Sequence, residues 1–224
     1  MKILFLVSSL GAGGAERVAT TLCNAWATRG DQVTIIPTYS GGGVPFYELH
    51  SNVELVNLAE VAGNAPKGFC SYARRLIILR GLIAKRRPDV IVSFLPNVNV
   101  AAILATVFMH VPLIVCERND PSSRSPFSVW ELACRLTYRF ADMLTVQTEA
   151  VAAKVDRLYP GLAKILVIPN PLSEGVLETK IVKKGQRRIL LTMGRLVDQK
   201  QLDKVIIAFA SLAPRFTDWD MHIY

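Results

Sequence analysis

The chain has 224 residues, of which 51% are hydrophobic and 20% charged, and its net charge is +8. This balance is typical of a folded globular protein and excludes intrinsic disorder and collagen-like repeats. No apolar run reaches the roughly 20 residues that span a membrane, and the positive charge favours anionic partners: phosphate-bearing ligands, an acidic membrane surface or nucleic acid.

Short apolar runs alternate with longer amphipathic stretches in the first three quarters of the chain. They predict strands at residues 2–7, 33–36, 54–58, 89–94, 112–116, 143–147 and 164–168, and helices at residues 14–29, 71–87, 97–109, 128–140 and 150–158. Because most strands are rich in Val, Ile and Leu with little polar alternation, we expect them to be buried on both faces. The pattern predicts an α/β fold with a Rossmann-like, doubly wound parallel sheet.

The pattern breaks after Pro169-Asn170-Pro171, where a polar and basic stretch at residues 172–187 predicts an interdomain linker. A strand at residues 188–193, a turn at 194–199, a helix at 201–213 and a strand at 219–224 follow. We therefore expect a first domain at residues 1–171 and, at residues 188–224, the first βαβ unit of an incomplete second Rossmann-like domain. Because one such unit cannot bury a sheet face alone, we expect the front of a longer protein, a truncated copy, or a unit that a partner completes.

The four cysteines, Cys23, Cys70, Cys116 and Cys134, show no metal-binding spacing. Most lie in apolar or helical stretches, where a free cysteine behaves as a small core residue. They favour a reducing cytoplasm over a secreted disulfide framework.

A glycine-rich loop that contains Gly11, Gly13 and Gly14 joins the first predicted strand to a helix whose first turn contains Glu16. Glycines let the backbone approach a ligand, and a helix N-terminus attracts anions. The loop predicts phosphate or sugar binding at the carboxyl end of a strand, with a plain turn as the alternative. A dinucleotide site is a further alternative, although Glu16 stands where its fingerprint has a third glycine and no acidic residue closes the second strand.

Four polar residues, Glu117-Arg118-Asn119-Asp120, follow the strand predicted at residues 112–116. Polar side chains at this end of a strand predict a substrate site in an open α/β sheet. The alternative is a loop whose charges pair with one another.

A second basic loop follows the strand predicted at residues 188–193. Its Arg195 offers a bidentate fork for phosphate oxygens, and its Lys200 offers a point charge. The loop predicts phosphate binding, with exposed basic side chains of no further role as the alternative.

The helix predicted from Ser71 to Arg87 is amphipathic and strongly basic. Its cations are Arg74, Arg75, Arg80, Lys85, Arg86 and Arg87. Such a helix favours contact with an anionic bilayer surface, with a core helix that has a solvated basic rim as the alternative. Nucleic acid is not expected as a partner, because no aromatic residues interleave with these cations and no recognition motif is present.

Three segments, in order and spacing, carry a family resemblance over nearly the whole chain. They are Gly13-Gly14-Ala15-Glu16-Arg17, Val167-Ile168-Pro169-Asn170-Pro171 and Met193-Gly194-Arg195-Leu196-Val197-Asp198-Gln199-Lys200, the last similar to a G-R-L-x-x-x-K signature. Together they resemble family-four glycosyltransferases, the retaining enzymes of the GT-B fold. One departure is Gln201, which stands where the family usually has glycine.

The resemblance implies a GT-B N-terminal domain followed by the beginning of the C-terminal donor domain. It implies that a nucleotide-sugar donor gives its sugar to a saccharide or lipid-linked acceptor in cell-surface polysaccharide biosynthesis. It also implies retention of anomeric configuration and no cofactor or metal. By the same resemblance Arg195, Lys200 and Asp120 are the catalytic residues, and the substrate-binding residues are Gly13, Gly14, Glu16, Glu117, Arg118 and Asn119.

Two alternatives to this function remain. Since the E-x7-E element of the family lies beyond residue 224, the chain is alternatively a catalytically incomplete remnant, or a subunit that needs a separate donor domain. The partial glycine motif leaves an NAD-dependent oxidoreductase or epimerase as the second alternative. We expect the protein in the cytoplasm, with a peripheral position on the inner face of the cell membrane as a further expectation.

Overall fold

The computed structural model describes residues 1–39, 43–63, 69–121, 125, 128–162, 164–172, 188–194 and 196–224. The chain divides into two compact units, Met1–Ser173 and Glu174–Tyr224. Apart from Leu172, the linker predicted at residues 172–187 lies outside the described residues.

Strands and helices alternate along the first unit. Its strands are β1 (Lys2–Val7), β2 (Gln32–Pro37), β3 (Val53–Leu55), β4 (Val90–Phe94), β5 (Leu113–Cys116), β6 (Met143–Val146) and β7 (Ile165–Val167). Its helices are α1 (Gly14–Thr28), α2 (Leu58–Ala62), α3 (Phe69–Arg86), α4 (Pro96–Thr106), α5 (Val129–Thr137) and α6 (Glu149–Leu158), and a 3-10 turn, Tyr138–Phe140, extends α5.

The strands described in the first unit form one parallel sheet in the order β3-β2-β1-β4-β5-β6-β7. β1 lies next to both β2 and β4, with Phe5 paired to Ile35 on one side and to Val92 on the other. The strand order therefore runs outward in both directions from β1 and β4. The predicted α/β fold with a doubly wound parallel sheet is confirmed.

Both faces of the sheet are buried, as β1 illustrates. Leu4 and Leu6 belong to the core beneath α3, α4 and α5, whereas Ile3, Phe5 and Val7 belong to the core beneath α1. Successive side chains of a strand point to opposite faces, so an uninterrupted apolar run is what a strand covered on both sides requires.

The largest difference from the predicted elements lies at residues 54–58. β3 ends at Leu55, and Leu58 begins the short helix α2 instead of closing a strand. Leu58 and Ala62 are both buried, because residues four apart share one helix face. A helix of five residues is too short for its periodicity to stand out in the sequence.

The second unit has one βαβ arrangement among its described residues. β8 (Arg188–Thr192) and β9 (Trp219–Ile223) pair in parallel, and α7 (Leu202–Leu212) connects them. No residue of α7 is buried. None of the helices in the described part of either unit is both long and apolar enough to cross a membrane.

Candidate functional site

The carboxyl ends of β1 and β4 mark the point where the strand order reverses. In open α/β sheets the crevice at this switch point is the usual place for a ligand. The glycine loop follows β1, Leu95 and Pro96 follow β4, and the polar residues 117–120 follow β5. The first unit thus brings two of the predicted polar loops to one edge of its sheet.

The glycine loop is closed by its own first helix. Gly13 caps α1 without a side-chain hydrogen bond, and the Glu16 carboxylate folds back over it. A Cβ atom placed on Gly13 would lie 1.9 Å from Glu16 Oε2, whereas one on Gly14 would meet nothing within 4 Å. Only Gly13 therefore needs to lack a side chain for this arrangement, and the Ser9 hydroxyl completes it by donating to Glu16 Oε1 at 3.0 Å.

The position of Glu16 bears on which of the predicted ligands would suit this loop. Its carboxylate already complements the partial positive charge at the start of α1. A phosphate would have to displace or repel that carboxylate, whereas a sugar hydroxyl would donate a hydrogen bond to it. Of the ligands predicted for the loop, a sugar hydroxyl therefore suits the Glu16 carboxylate better than a phosphate group does.

Backbone strain marks the opposite side of the crevice. Leu95 has φ 78° and ψ 145°, a conformation that residues with a side chain rarely adopt. Its N–H donates to Cys116 O at 3.3 Å and its carbonyl accepts from Asn99 N at 2.8 Å, so both neighbouring segments hold it in place. Strain of this kind clusters at ligand sites.

Glu117 begins a buried polar network at the end of β5. It has no exposed surface, and it accepts a hydrogen bond from the Tyr138 hydroxyl through Oε1. Asn99 Nδ2 donates to the same hydroxyl at 3.1 Å, and Ser93 Oγ donates to Asn99 Oδ1 at 2.7 Å. The network joins the ends of β4 and β5 to α4 and to the turn after α5. Glu117 thus stabilises this edge through buried hydrogen bonds and does not reach solvent.

Burial and the nearby Glu117 carboxylate raise the pKa of Tyr138 well above its ordinary value. The phenol therefore stays protonated and remains a donor to Glu117. A second buried acid, Glu131 of α5, accepts from Tyr159 Oη at 2.9 Å and from Arg135 Nε at 3.2 Å. Buried carboxylates satisfied in this way fix the helices that line the sheet edge.

Arg118 is anchored in the first unit by its neighbours. Its guanidinium lies 3.9 Å from the centre of the Phe94 ring, and Nη1 donates to Asn170 Oδ1 at 2.8 Å. Its Nε is buried and has no hydrogen-bond partner among the described residues. Burial lowers the pKa of Arg118 from its ordinary value. The side chain ties the end of β5 to the segment that follows β7.

Asn119 and Asp120 reach the surface beyond Arg118. Asn119 is exposed, and Asp120, which is partly exposed, forms an ion pair with Lys154 of α6. Of the four consecutive residues predicted as a substrate site, these two are the ones most open to a ligand.

In the second unit, Gly194 and Lys200 lie against each other. The Lys200 stem would be 3.7 Å from a Cβ atom on Gly194, and Gly194 N donates to Tyr224 O at 2.9 Å. Lys200 is exposed at the end of a 3-10 turn, Asp198–Lys200. Arg195 lies outside the described residues.

Gln201, the departure from the resembled signature, has φ 48° and ψ 40°. This is the left-handed region, in which a side chain costs about 1–2 kcal/mol and glycine costs nothing comparable. It joins the 3-10 turn to α7 and so orients the loop that carries Lys200. Glutamine in place of glycine at this position therefore puts a side chain on a left-handed backbone.

No group of three or more His, Cys, Asp or Glu side chains able to hold a metal ion is found in the described part of the chain. Cys23, Cys116 and Cys134 are buried and are not joined in disulfides, as predicted for core cysteines.

Two residues that shape the edge escaped the sequence prediction: Asn99 and Tyr138. Asn99 and Tyr138 lie within predicted helices as isolated polar residues, and nothing in the sequence showed that they meet.

A doubly wound parallel sheet with polar groups at its switch point defines a Rossmann-like domain. Residues 13–171 match the family described as Glycosyl transferase 4-like domain. The match covers most of the chain, and the chain belongs to this family.

Two curated relatives are glycosyltransferases. The chain is 29% identical over 213 residues to GalNAc-alpha-(1->4)-GalNAc-alpha-(1->3)-diNAcBac-PP-undecaprenol alpha-1,4-N-acetyl-D-galactosaminyltransferase of Campylobacter jejuni, an alignment that covers 95% of the chain and 57% of the relative. It is 24% identical over 223 residues to an uncharacterized glycosyltransferase of Haemophilus influenzae, with 99% and 61% covered. The chain thus spans less than two thirds of the length of either relative.

Solved structures share the fold at low sequence identity. Sucrose-phosphate synthase from Thermosynechococcus elongatus matches this chain with a TM-score of 0.78 at 14% sequence identity. Anabaena HepE in complex with UDP and glucose matches it with a TM-score of 0.68 at 18% sequence identity. Both matches cover 100% of the chain, and 62% and 60% of the solved chains respectively. The predicted membership of the GT-B glycosyltransferases is confirmed.

Proposed function

We propose that this protein transfers a sugar from a nucleotide-sugar to a hydroxyl group of a saccharide or lipid-linked saccharide acceptor in cell-surface polysaccharide assembly. The observation that carries the proposal is the family match over residues 13–171, the part of the chain that holds the sheet edge described above. The Campylobacter jejuni relative, whose name specifies an undecaprenol-linked saccharide, supports an acceptor of the lipid-linked class.

Within this proposal the first unit binds the acceptor. The Glu16 carboxylate, supported by Ser9, accepts hydrogen bonds from sugar hydroxyls, and Gly13 leaves room for it. Asp120 orients the attacking hydroxyl, with Asn119 beside it. Glu117 and Arg118 act through the loop they hold in place, since one is buried and the other is bound to Phe94 and Asn170.

The second unit supplies cations for the donor in the same proposal. Negative charge develops on the departing nucleotide diphosphate, so fixed positive charges beside it lower the barrier. Lys200, held against Gly194, provides one such charge. Arg195 is assigned the second on the strength of the G-R-L-x-x-x-K signature. The reaction is proposed to retain configuration and to need no metal or cofactor.

The test is a transfer assay with radiolabelled UDP-sugars and an undecaprenyl-diphosphate-linked saccharide. We expect Lys200→Ala to lower kcat about 100-fold or more, the scale seen when a preorganised charge is removed from a transition state. The exposed Lys204→Ala on α7 is the matched control and should retain activity. Equal losses in both variants, or transfer unaffected by Lys200→Ala, would overturn the assignment of Lys200.

The alternative of a subunit that needs a separate donor domain is tested in the same assay. Supplying the C-terminal half of the Campylobacter jejuni relative as a second chain would restore transfer if that alternative holds. Inactivity of the chain both alone and with the added domain would favour the remnant instead.

We also propose that the first unit contacts an anionic membrane surface. The apolar side of α3 serves the core, where Leu79 and Ile83 are buried, but its cations Arg74, Arg80 and Lys85 are exposed. α3 contains no acidic residue. α4 packs against both α3 and α5, which places the two helices on the same face of the sheet.

α5 adds an exposed apolar stripe to this face. The stripe consists of Val129, Leu132, Leu136 and Phe140, which are 78%, 57%, 58% and 61% exposed. Arg135 and Arg139 flank it, while Glu131, the acidic residue of α5, is buried. Apolar side chains rimmed by cations match the interface of an anionic bilayer. The basic surface is assigned to lipid and phosphate, not to nucleic acid.

Co-sedimentation with vesicles tests this contact. We expect binding to phosphatidylglycerol-containing vesicles but not to pure phosphatidylcholine, and a loss of about tenfold or more in the double variant Leu132→Ser with Leu136→Ser. Ile207→Ser, on the exposed part of α7, is the control. A dimer in analytical ultracentrifugation that the double variant dissolves, together with no vesicle binding, would show an interface between copies instead.

A further inference from the structure

The first unit contains a partly open cavity of about 250 Å³ beside the sheet edge. Leu58 of α2, Leu76 and Leu79 of α3, Ala101 of α4 and Trp130 of α5 form its apolar walls. Its polar lining comes from Thr38, Tyr39, Ser71, Tyr72 and Arg75. A concave, mostly apolar pocket with a few converging polar groups is the usual form of a small-molecule site.

Tyr72 contributes a polar atom that the fold leaves unsatisfied. Its hydroxyl is buried and has no hydrogen-bond partner among the described residues. The ring lies edge-on to Trp130, with 6.1 Å between the ring centres. A buried hydroxyl without an acceptor is unfavourable, so a ligand that brings an acceptor atom to it gains both the hydrogen bond and the apolar contact.

Two further lining residues connect this cavity with the switch point. The Tyr39 phenol interacts with the Asn97 side chain, just after β4. Arg75 Nη1 donates to Thr38 O at 3.3 Å, just after β2. Because a guanidinium carries five N–H donors, Arg75 retains donors for ring or phosphate oxygens of a ligand. The cavity is therefore continuous in sequence and hydrogen bonding with the edge assigned to the acceptor.

The residues that line the cavity restrict which chemical groups can bind in it. A hydrocarbon chain would fill the apolar walls but leave the Tyr72 hydroxyl unpaired. An unsubstituted sugar ring would place several hydroxyls against Leu58, Leu76 and Leu79. A small acyl group carries an apolar methyl and one carbonyl oxygen, so it satisfies the walls and Tyr72 at once.

We propose that this cavity receives the N-acyl substituent of an amino sugar in the acceptor, with the carbonyl oxygen accepting from Tyr72 and the methyl group among the leucines. This inference rests on the proposed transferase function, because that function is the reason to expect an acceptor here. It adds that the acceptor contains an N-acylated amino sugar. Binding itself requires neither donor nor turnover.

Ligand-observed saturation-transfer NMR and titration test the proposal with two probes, N-acetylglucosamine 1-phosphate and glucose 1-phosphate. These differ at C2, where one has an acetamido group and the other a hydroxyl. We expect the acetamido methyl to receive the strongest saturation and glucose 1-phosphate to bind about tenfold more weakly, since it lacks one hydrogen bond and one buried methyl.

Tyr72→Phe should weaken the binding of N-acetylglucosamine 1-phosphate about three- to tenfold, because it removes the hydroxyl and keeps the ring. It should leave the binding of glucose 1-phosphate unchanged. Tyr47→Phe, outside the cavity, is the control for folding and for the loss of one phenol. Equal binding of the two probes, or no effect of Tyr72→Phe, would overturn the proposal.

Displacement of both probes by farnesyl phosphate, with no saturation of the acetamido methyl group, would also overturn it and would assign the cavity to a hydrocarbon chain. An inactive protein that still shows the expected binding pattern would separate this inference from a failure of the transferase proposal.

Discussion

At the scale of single residues, Glu117 lies where the sequence predicted it but differs in its exposure to solvent. Its place after a strand predicted a polar residue at the ligand edge, and the structure puts it at that edge but fully buried beneath it. The difference arises because Tyr138 and Asn99 approach from α4 and from the turn after α5, contacts between segments about 20 and 40 residues apart that no local pattern contains.

We expect Glu117→Ala to lower the free energy of unfolding by about 2–4 kcal/mol, because the Tyr138 hydroxyl would lose its acceptor in a buried site. Urea unfolding followed by circular dichroism measures the change. Glu60→Ala, at an exposed position of α2, should stay within about 0.5 kcal/mol. A change in Glu117→Ala no larger than in this control would mean that the network contributes nothing to stability.

Gln201 carries the second prediction at this scale. Gln201→Gly should relieve the left-handed backbone at the start of α7 and stabilise that helix by about 0.5–1 kcal/mol. Hydrogen exchange of the α7 amides should slow about two- to fivefold. Lys204→Gly, within the same helix, should speed exchange, since glycine in a helix interior costs about 1 kcal/mol. Faster exchange in Gln201→Gly would contradict the argument from backbone strain.

At the scale of elements, burial decided what the sequence could predict. Strands covered on both faces leave uninterrupted apolar runs, so β1, β4 and β5 were predicted within a residue or two of their observed bounds. α2 was missed because five residues give too little periodicity. The end of α5 was placed at residue 140, whereas the last three of those residues form a 3-10 turn, a change in hydrogen bonding that leaves the apolar spacing intact.

The start of α6 offers a test of an element boundary. Thr148 Oγ1 accepts from Val151 N at 3.3 Å and caps the helix. Thr148→Ala should lower the free energy of unfolding by about 1 kcal/mol, as loss of a cap does. Thr148→Ser retains the acceptor and should recover most of the loss in the same urea titration. A serine variant as unstable as the alanine variant would show that the cap is not the cause.

At the scale of the whole molecule, the two units differ in where their apolar residues lie. The buried core residues belong to Met1–Ser173, whereas Ile189, Leu190 and Leu191 on β8 are 54%, 41% and 56% exposed. The sequence predicted the alternation of elements in both parts, because periodicity is local. It did not predict the difference in burial, which depends on how many helices cover a sheet.

Because hydrophobic burial dominates stability, the cooperative unfolding of this chain should arise from its first unit. A fragment of residues 1–173 should therefore unfold with a Tm within a few degrees of the full chain, in a scan followed by circular dichroism. A fragment of residues 174–224 should show no cooperative transition, since the described part of that unit has no buried residue to lose. A Tm of the larger fragment far below that of the full chain would contradict this view, because the first unit would then draw stability from the second. Retention of the full Tm would make the larger fragment the right material for the binding titrations, which could then be repeated without residues 174–224.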